Sequence, residues 1–173
     1  MKNKLAQSSN KMRVSFDLDE VLFVNPANHK TEPKLPFPLD RLYKERLRLG
    51  TAHLIPELQR QGFEVWIYTS SFRTDRYLKT LFGLYHVKFD NIVNGQRHQK
   101  EVQRSGSEAA PTKLPSRYQI SLHIDDEAIV ATYGKEFGFD VFQLDAQDDE
   151  WEEKIIQRVH EIKEKKIKQG YHY

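Results

Sequence analysis

The feature that most constrains the fold is a regular alternation of short apolar runs with segments of helical periodicity. Five runs are rich in the β-branched or aromatic residues typical of strands: VSFDL (14–18), EVWIYT (64–69), NIVNG (91–95), ISLHID (120–125) and FDVFQLD (139–145). Four segments place apolar residues at helical spacing: 51–60, 74–84, 126–137 and 151–167. Such alternation is typical of parallel strands joined by crossover helices. It predicts one three-layer α/β domain of about five mainly parallel strands, with helices on both faces.

Each of these helical segments places apolar residues on one face. In 51–60 the apolar face consists of Leu54, Ile55 and Leu58. In 126–137 it consists of Ile129, Val130 and Tyr133, and in 151–167 of Ile155, Ile156, Val159 and Ile162. These faces are expected to pack against the sheet.

Length and composition narrow the class of protein. The chain has 173 residues, of which 38% are hydrophobic, which suits one domain with a sizeable core. With 27 Lys and Arg against 25 Asp and Glu, the net charge is +2, so the sequence lacks the strongly basic character of a dedicated nucleic-acid binder. Cysteine is absent, which excludes disulfides, thiolate metal sites and a thiol nucleophile. Together with a polar N-terminus and no apolar run of bilayer length, this predicts a cytoplasmic protein without membrane contact.

Segments outside the alternation are expected to be irregular. We predict a flexible N-terminal segment (1–12), a single domain (13–169) and a frayed C-terminus (170–173). Within the domain, residues 24–40 contain four prolines and predict an extended or turned flap rather than a helix. The polar stretch 96–112 predicts a long, mobile loop.

Polar residues that can take part in catalysis stand beside the predicted strands. They are Asp17 and Asp19 at the end of the first, Thr69 with Ser70 and Ser71 at the end of the second, Lys113 before the fourth, and Asp125 with Asp126 at its end. In an open parallel sheet, ligands bind outside the carboxyl ends of the strands. An i, i+2 pair in extended backbone also projects to one side, so the first two acids are expected to share a crevice with the others.

With DLDEV at 17–21, Thr69, Lys113 and the acidic pair 125–126 in this order, the chain resembles the haloacid dehalogenase (HAD) superfamily. That family has a strand ending DxDx[TV], a second strand ending in Thr or Ser, an isolated Lys and a later strand ending in acids. Response-regulator receivers use similar residues but begin with the acidic pair, which here comes last. The resemblance covers residues 13–145 and implies a Rossmann-like, HAD-type fold. DLDEV is similar to the motif of the small, capless protein-phosphatase branch.

The resemblance implies a Mg²⁺-dependent phosphohydrolase that works through an aspartyl phosphate. Asp17 would be the nucleophile and Asp19 the general acid and base. Thr69 would donate its hydroxyl to the phosphoryl group, and Lys113 would offset negative charge. Which of Thr69, Ser70 and Ser71 makes that contact stays open.

The same resemblance implies the metal ligands, while the substrate contacts are inferred from their position beside Thr69. Asp17, the backbone carbonyl of Asp19 and Asp125 would hold Mg²⁺, with Asp126 as outer support. Ser70 and Arg73, just beyond Thr69, would contact substrate. Lys100 lies in the same predicted loop as Lys113 and remains an alternative for the motif lysine.

The spacing of the motifs leaves little room for a cap domain. About thirty residues separate Asp19 from the helix near Thr51, and a helix, a strand and the polar loop fill the interval from Thr69 to Lys113. We therefore expect an open crevice and a phosphate on a bulky carrier, such as a protein or nucleic acid. Nearby basic residues weakly favour an anionic partner: Arg97, Lys100, Arg104 and Arg117. A small metabolite or nucleotide, with a lid supplied by oligomerisation, is the alternative, and the oligomeric state stays open.

Two other classes of function account for less of the sequence. A DxD pair also holds a metal and a nucleotide sugar in glycosyltransferases, but Thr69, Lys113 and Asp125 would then be unexplained. A non-catalytic HAD-fold interaction module would predict the loss of a catalytic position, and none is lost. The seven histidines show no metal-ligand spacing, and His123, inside a predicted strand, is expected to be a core residue. No Ser-His-Asp catalytic triad is predicted.

Overall fold

A computed structural model of the chain describes residues 11–102 and 111–173. The strands are Arg13–Phe16 (β1), Glu64–Tyr68 (β2), Asn91–Val93 (β3), Ile120–Asp125 (β4) and Asp140–Gln143 (β5). The α-helices are Leu39–Leu42 (α1), Thr51–Arg60 (α2), Asp75–Leu84 (α3), Gly95–Glu101 (α4), Ala128–Phe137 (α5) and Trp151–Lys168 (α6). A 3₁₀ helix covers Pro115–Tyr118.

The strands form a parallel sheet in the order β3-β2-β1-β4-β5. The central strand β1 pairs with β2 on one side and β4 on the other, so that Val14 lies opposite Val65 and Leu122. Chain order runs outward from β1 in both directions, which creates a topological switch point between β1 and β4. The predicted α/β fold is confirmed, and the carboxyl ends of β1 and β4 are neighbours.

The core lies between the sheet and its helices. Leu54, Ile55 and Leu58 of α2 are fully buried, which confirms the predicted apolar face. Ile155 and Val159 of α6 are equally buried. Each such side chain contributes about 1.5–3 kcal/mol when it leaves water, so these helices hold the sheet rigid beneath the site.

The predicted strand 91–95 and the predicted mobile loop 96–112 were partly wrong. β3 ends at Val93 because Asn94 caps α4, its side-chain oxygen accepting a hydrogen bond from the Arg97 amide at 3.0 Å. Residues 96–101 are therefore helical, and His98 is buried. Residues 103–110 of the predicted loop lie outside the described residues. The helix was missed because its sequence, GQRHQKE, carries no apolar periodicity.

In α5 the predicted buried face was also partly wrong. Ile129 is 50% exposed, whereas Val130 and Gly134 face the interior. A side chain at position 134 would lie 2.6 Å from the carbonyl oxygen of Phe139, so the glycine lets α5 approach the chain entering β5. The helix begins at Ala128 rather than at residue 126.

The boundaries of the irregular segments also differ from prediction. Met12 is buried in the core, so the predicted flexible segment does not reach it, and residues 1–10 lie outside the described residues. At the other end residues 171–173 have no regular structure, and Tyr173 is partly buried against the core. The proline-rich flap is mainly irregular, with turns at 26–28 and 37–38 and an isolated bridge between Thr31 and Arg48, but α1 begins inside it at Leu39.

Across the two described ranges, no helix combines the length and apolar composition needed to cross a bilayer.

Candidate active site

Three acids from the carboxyl ends of β1 and β4 meet at one place. Asp17 directly follows β1, and its amide donates to the carbonyl of Ile124 at 2.9 Å, which ties it to β4. Asp125 is the last residue of β4, and Asp126 follows it. One carboxylate oxygen from each of these acids lies within 4.8 Å of the other two. The predicted convergence of Asp17, Asp125 and Asp126 is thus present in the structure.

Lys113 inserts its ammonium group between two of these acids. Its Nζ lies 2.7 Å from Oδ2 of Asp17 and 2.5 Å from Oδ2 of Asp125, and the residue is only 2% exposed. Burial by itself lowers the pKa of Lys113, but the two carboxylates outweigh it, so the pKa is raised. Lys100, the alternative, is exposed on α4. The structure therefore brings Lys113 to the acids.

The three acids outnumber this cation, and the pKa values of Asp125 and Asp126 shift in opposite directions. Burial raises the pKa of Asp125, but the hydrogen bond from His123 and the charge of Lys113 lower it to about 2. Burial, together with the charges of Asp125 and Asp17, raises the pKa of Asp126. The cluster carries more negative charge than Lys113 neutralises, which favours a further cation.

One carboxylate oxygen of the cluster lacks a hydrogen-bond donor. Oδ1 of Asp17 is buried and has no partner among the described residues. An unsatisfied buried acceptor costs about 1–3 kcal/mol, and more when charged. The donor set here consists entirely of oxygen, which suits a hard cation such as Mg²⁺. The residues present thus fit a divalent metal bound by Asp17, Asp125 and Asp126.

A buried row of hydrogen bonds, from Ser15 through His123, fixes the orientation of the Asp125 carboxylate. Oγ of Ser15 lies 2.8 Å from Nδ1 of His123, and Nε2 of His123 lies 2.9 Å from Oδ2 of Asp125. The amide of Glu127 donates to the other carboxylate oxygen at 3.0 Å. Ser15, His123 and Asp125 are all 0% exposed, so this Ser-His-Asp arrangement cannot contact substrate. It orients the carboxylate of Asp125 instead.

His123 is a core residue as predicted, but its bond to Asp125 was missed. The available signal was spacing, since residues two apart on a strand project to the same face.

The turn that carries Asp19 is held by a buried arginine. Glu20 adopts a left-handed conformation with φ of 58°, which a residue other than glycine adopts only when its surroundings impose it. The guanidinium of Arg48 donates to the carbonyls of Glu20 and Val21, each at 2.8 Å, and to that of Ala146 at 3.1 Å. Arg48 is 4% exposed, so it acts as an internal brace for the turn. Sequence reasoning did not find this residue, because no local pattern marks it.

Asp19 lies outside the cluster of three acids and is bound by Arg73. The two arginine terminal nitrogens each donate to one oxygen of the Asp19 carboxylate at 2.9 Å, a bidentate ion pair. Arg73 also donates to Glu45 at 3.1 Å and to the hydroxyl of Ser71 at 2.8 Å. Glu45 in turn accepts a hydrogen bond from the hydroxyl of Tyr77. Arg73, predicted to bind substrate, is thus engaged within the protein in this conformation.

Burial lowers the pKa of Arg73, but its bonds to Asp19 and Glu45 outweigh burial and raise it. The side chain of Asp19 remains 56% exposed. It is therefore the more accessible of the two acids in the DLD motif.

Thr69, Ser70 and Ser71, which follow β2, differ in exposure and in their hydrogen bonds. Thr69 is 1% exposed, its amide donates to Val93, and its hydroxyl oxygen accepts from the Ser71 amide at 3.1 Å. The hydroxyl proton of Thr69 can still be donated. The hydroxyl of Ser71 is occupied by Arg73, and Ser70 is exposed.

Comparison with known proteins gives a distant likeness in structure. No protein-family model matches the sequence, and no curated protein matches it. Among 22 matching chains of solved structures, a HAD-superfamily hydrolase of subfamily IA, variant 1, from Geobacter sulfurreducens PCA has a TM-score of 0.46 and 12% identity. That match covers 79% of this chain and 88% of the other.

A predicted HAD-like family hydrolase from Porphyromonas gingivalis has a TM-score of 0.46 and 14% identity, covering 86% of this chain and 97% of the other. An uncharacterized protein from Listeria monocytogenes serotype 4b has a TM-score of 0.41 and 19% identity, covering 66% of this chain and 67% of the other. Likenesses this distant do not establish the family or the activity of the chain.

Proposed function

We propose that the protein is a Mg²⁺-dependent phosphohydrolase of the HAD type that acts through an aspartyl phosphate on Asp17. One observation carries the proposal. Lys113 holds one oxygen of Asp17, while the other oxygen, buried beside Asp125 and Asp126, has no donor among the described residues. This leaves a fixed, oriented carboxylate whose free oxygen can bind the metal, while the oxygen held by Lys113 keeps a lone pair for attack on phosphorus.

Asp17, Asp125 and Asp126 would hold the metal, with the backbone carbonyl of Asp19 as a further ligand. When bound, Mg²⁺ supplies positive charge that neutralises the acids and polarises a phosphoryl oxygen. That charge is needed because a carboxylate and a phosphate oxygen 4 Å apart repel by about 4 kcal/mol per charge pair at an effective dielectric of about 20. The ammonium of Lys113 supplies part of the same compensation.

In the first step a carboxylate oxygen of Asp17 attacks phosphorus, and the bond from phosphorus to the leaving oxygen breaks. The leaving oxygen takes a proton from the carboxyl group of Asp19. In the second step water attacks the phosphorus of the aspartyl phosphate and gives its proton to Asp19, which releases phosphate and regenerates Asp17. The hydroxyl of Thr69 and the ammonium of Lys113 stabilise the charge on the phosphoryl oxygens.

Asp19 must exchange part of its ion pair with Arg73 before it can act on a substrate. Both oxygens of Asp19 accept bonds from Arg73, so at least one bond is exchanged before this carboxyl can meet a leaving group. An incoming phosphate offers Arg73 an alternative anion. This exchange would give Arg73 the substrate-binding role that its position in the sequence suggests.

A bulky, phosphorylated macromolecule is the substrate that we favour. Between Asp19 and Thr51 the structure has turns, isolated bridges and the four-residue α1, and the described part of the segment from Thr69 to Lys113 consists mainly of α3, β3 and α4. An open site suits a substrate whose own body excludes water. A small metabolite, with the lid supplied by a second copy of the chain, is the competing possibility.

The mechanism is tested with a generic aryl phosphate, assayed with Mg²⁺ and with a chelator. Asp17→Asn should lose activity by at least about a thousandfold, because an amide is a poor nucleophile and a weaker metal ligand. Asp149→Asn is the matched control, since this exposed carboxylate contacts only Lys30 among the described residues. Activity retained in Asp17→Asn, or independent of Mg²⁺, would contradict the proposal.

The substrate class is tested separately by comparing kcat/KM for phosphopeptides and nucleic-acid ends with kcat/KM for sugar and nucleotide phosphates. A clear preference for the small phosphates would favour the competing possibility.

A further inference from the structure

A buried hydrogen-bonded chain on the far side of Lys113 connects three parts of the fold. Tyr68, the last residue of β2, is fully buried, and His98 of α4 is 3% exposed. The hydroxyl of Tyr68 lies 2.7 Å from Nδ1 of His98 and 2.7 Å from the amide of Leu114. Nε2 of His98 lies 3.1 Å from the carbonyl oxygen of Pro111.

The two backbone groups fix the direction of every bond in this chain. The amide of Leu114 can only donate, so the Tyr68 oxygen accepts from it; in a neutral imidazole that is protonated on Nε2, Nδ1 then accepts the Tyr68 proton. The carbonyl of Pro111 can only accept, so Nε2 of His98 carries the ring proton. One neutral tautomer of His98 satisfies all three bonds. Consistently, burial lowers the pKa of His98, although the bond to Pro111 acts in the opposite direction.

Tyr68 and His98 hydrogen-bond the backbone on both sides of Lys113. Pro111 lies two residues before Lys113, and Leu114 lies immediately after it. Each is tied to a different end of the pair formed by Tyr68 and His98. The ammonium group must reach Oδ2 of Asp17 and of Asp125 at once, so a small shift of this backbone would break at least one ion pair.

We infer that Tyr68 and His98 are positioning residues that hold Lys113 between Asp17 and Asp125. Among the described residues, neither side chain hydrogen-bonds Asp17 or Asp125. Both act on Lys113 through the backbone of residues 111–114. Their effect on turnover rests on the proposed function of Lys113, whereas their effect on the geometry of Lys113 does not.

Substitutions at Tyr68 and His98 test separately the bond of His98 to Tyr68 and its bond to Pro111. Tyr68→Phe removes the hydroxyl that serves both Leu114 and His98, and His98→Leu removes both ring nitrogens. His98→Asn keeps an acceptor near the position of Nδ1, and His98→Gln keeps a donor near that of Nε2. Tyr118→Phe is the matched control, because its ring packs 5.5 Å from that of Tyr68 while its hydroxyl bonds Glu101.

The first measurement does not depend on activity. The ¹⁵Nζ resonance of Lys113 in the full chain, assigned by its loss in Lys113→Met, reports whether the ammonium stays in its buried ion pairs. It should shift or broaden in Tyr68→Phe and His98→Leu, recover in part in His98→Asn or His98→Gln, and stay unchanged in Tyr118→Phe. An unchanged resonance in Tyr68→Phe and His98→Leu would overturn the inference, whatever the activity.

The second measurement uses the aryl phosphate assay with Mg²⁺. Misplacing a catalytic group by about 1 Å costs up to about a hundredfold, so kcat should fall about tenfold to a hundredfold in Tyr68→Phe and His98→Leu with little change in KM. Partial rescue of kcat by His98→Asn or His98→Gln would support positioning over general destabilisation. A shifted resonance with unchanged kcat would sustain the positioning and contradict the role of Lys113 in the proposed function.

Discussion

Replacing Lys113 with Met tests whether one buried cation holds the acidic cluster together. In the structure its Nζ contacts two carboxylates at 2.7 and 2.5 Å, and the side chains of Lys113, Asp17 and Asp125 are 3%, 9% and 0% exposed. Removing one partner from a buried ion pair costs about 3–5 kcal/mol, because the remaining charges stay buried without compensation. At 4.8 Å and an effective dielectric of about 20, two of these acids repel by about 3.5 kcal/mol. We therefore expect the free energy of unfolding to fall by about 3–5 kcal/mol without divalent cations.

Mg²⁺ should restore part of this loss. A ligand that binds only the folded state stabilises it by about 2.7 kcal/mol at a concentration one hundred times its Kd. In Lys113→Met the metal faces carboxylates that no ammonium neutralises, so the stabilisation by saturating Mg²⁺ should be larger than in the wild-type protein. A cation bound elsewhere would stabilise both proteins equally.

Urea unfolding at neutral pH, with and without Mg²⁺, measures both effects. Trp66 and Trp151 are 5% and 2% exposed, so their fluorescence reports loss of the core. Lys100→Met is the matched control, because Lys100 is exposed on α4 and its loss should change stability by less than about 0.5 kcal/mol. Equal losses in the two variants, or equal gains from Mg²⁺ in wild type and Lys113→Met, would refute the reasoning.

Three further predictions concern pH, a close packing contact and the brace of the acidic turn. The pKa of Asp125 is lowered to about 2 in the folded protein, so its ionised form contributes about 2 kcal/mol of stability above about pH 4, and this is lost as the pH falls through 2. Measured by urea unfolding across this range, the free energy of unfolding should depend less on pH in Asp125→Asn than in the wild-type protein. A side chain at Gly95 would lie 2.4 Å from the carbonyl oxygen of Ser70, so Gly95→Ala should lower the free energy of unfolding by about 1–3 kcal/mol. Gly83→Ala, where no heavy atom of the described residues lies within 4 Å, should raise it by about 0.5–1 kcal/mol in the same assay. Arg48→Met, which leaves three backbone carbonyls without their donor, should cost about 2–4 kcal/mol by urea unfolding, and a cost below about 1 kcal/mol would contradict its role as a brace.

The fold and the meeting of the acids could be predicted because both follow from short-range patterns. Apolar runs alternating with helical periodicity specify a parallel sheet, and all strands of such a sheet end at the same edge. Asp17 and Asp125 stand at the ends of two runs, so their proximity required only that β1 and β4 be neighbours. Lys113 was found through its place in the order of the motifs rather than through any local signal.

The supports of the site could not be predicted, because they depend on partners distant in the sequence. Arg48 bonds carbonyls 27 and 28 residues before it and one 98 residues after it, and its own neighbours in the sequence give no hint of burial. The pair of Arg73 with Asp19 spans 54 residues. Helix α4 was missed for another reason, since its stabilising elements are a polar cap and one buried histidine rather than an apolar stripe.

The surroundings of Asp17 and Asp19 fit the different roles that we propose for them. Asp17 is buried and held through one oxygen by Lys113, itself fixed by Asp125, so the orientation of its carboxylate is fixed. A nucleophile benefits from such fixation, because a preset approach to phosphorus removes orientational entropy from the barrier. Asp19 has a side chain 56% exposed and is paired with Arg73, a cation that an anionic substrate can draw away. The proposed acid and base needs access to both the leaving oxygen and water, and an exposed carboxyl with an exchangeable partner provides that access.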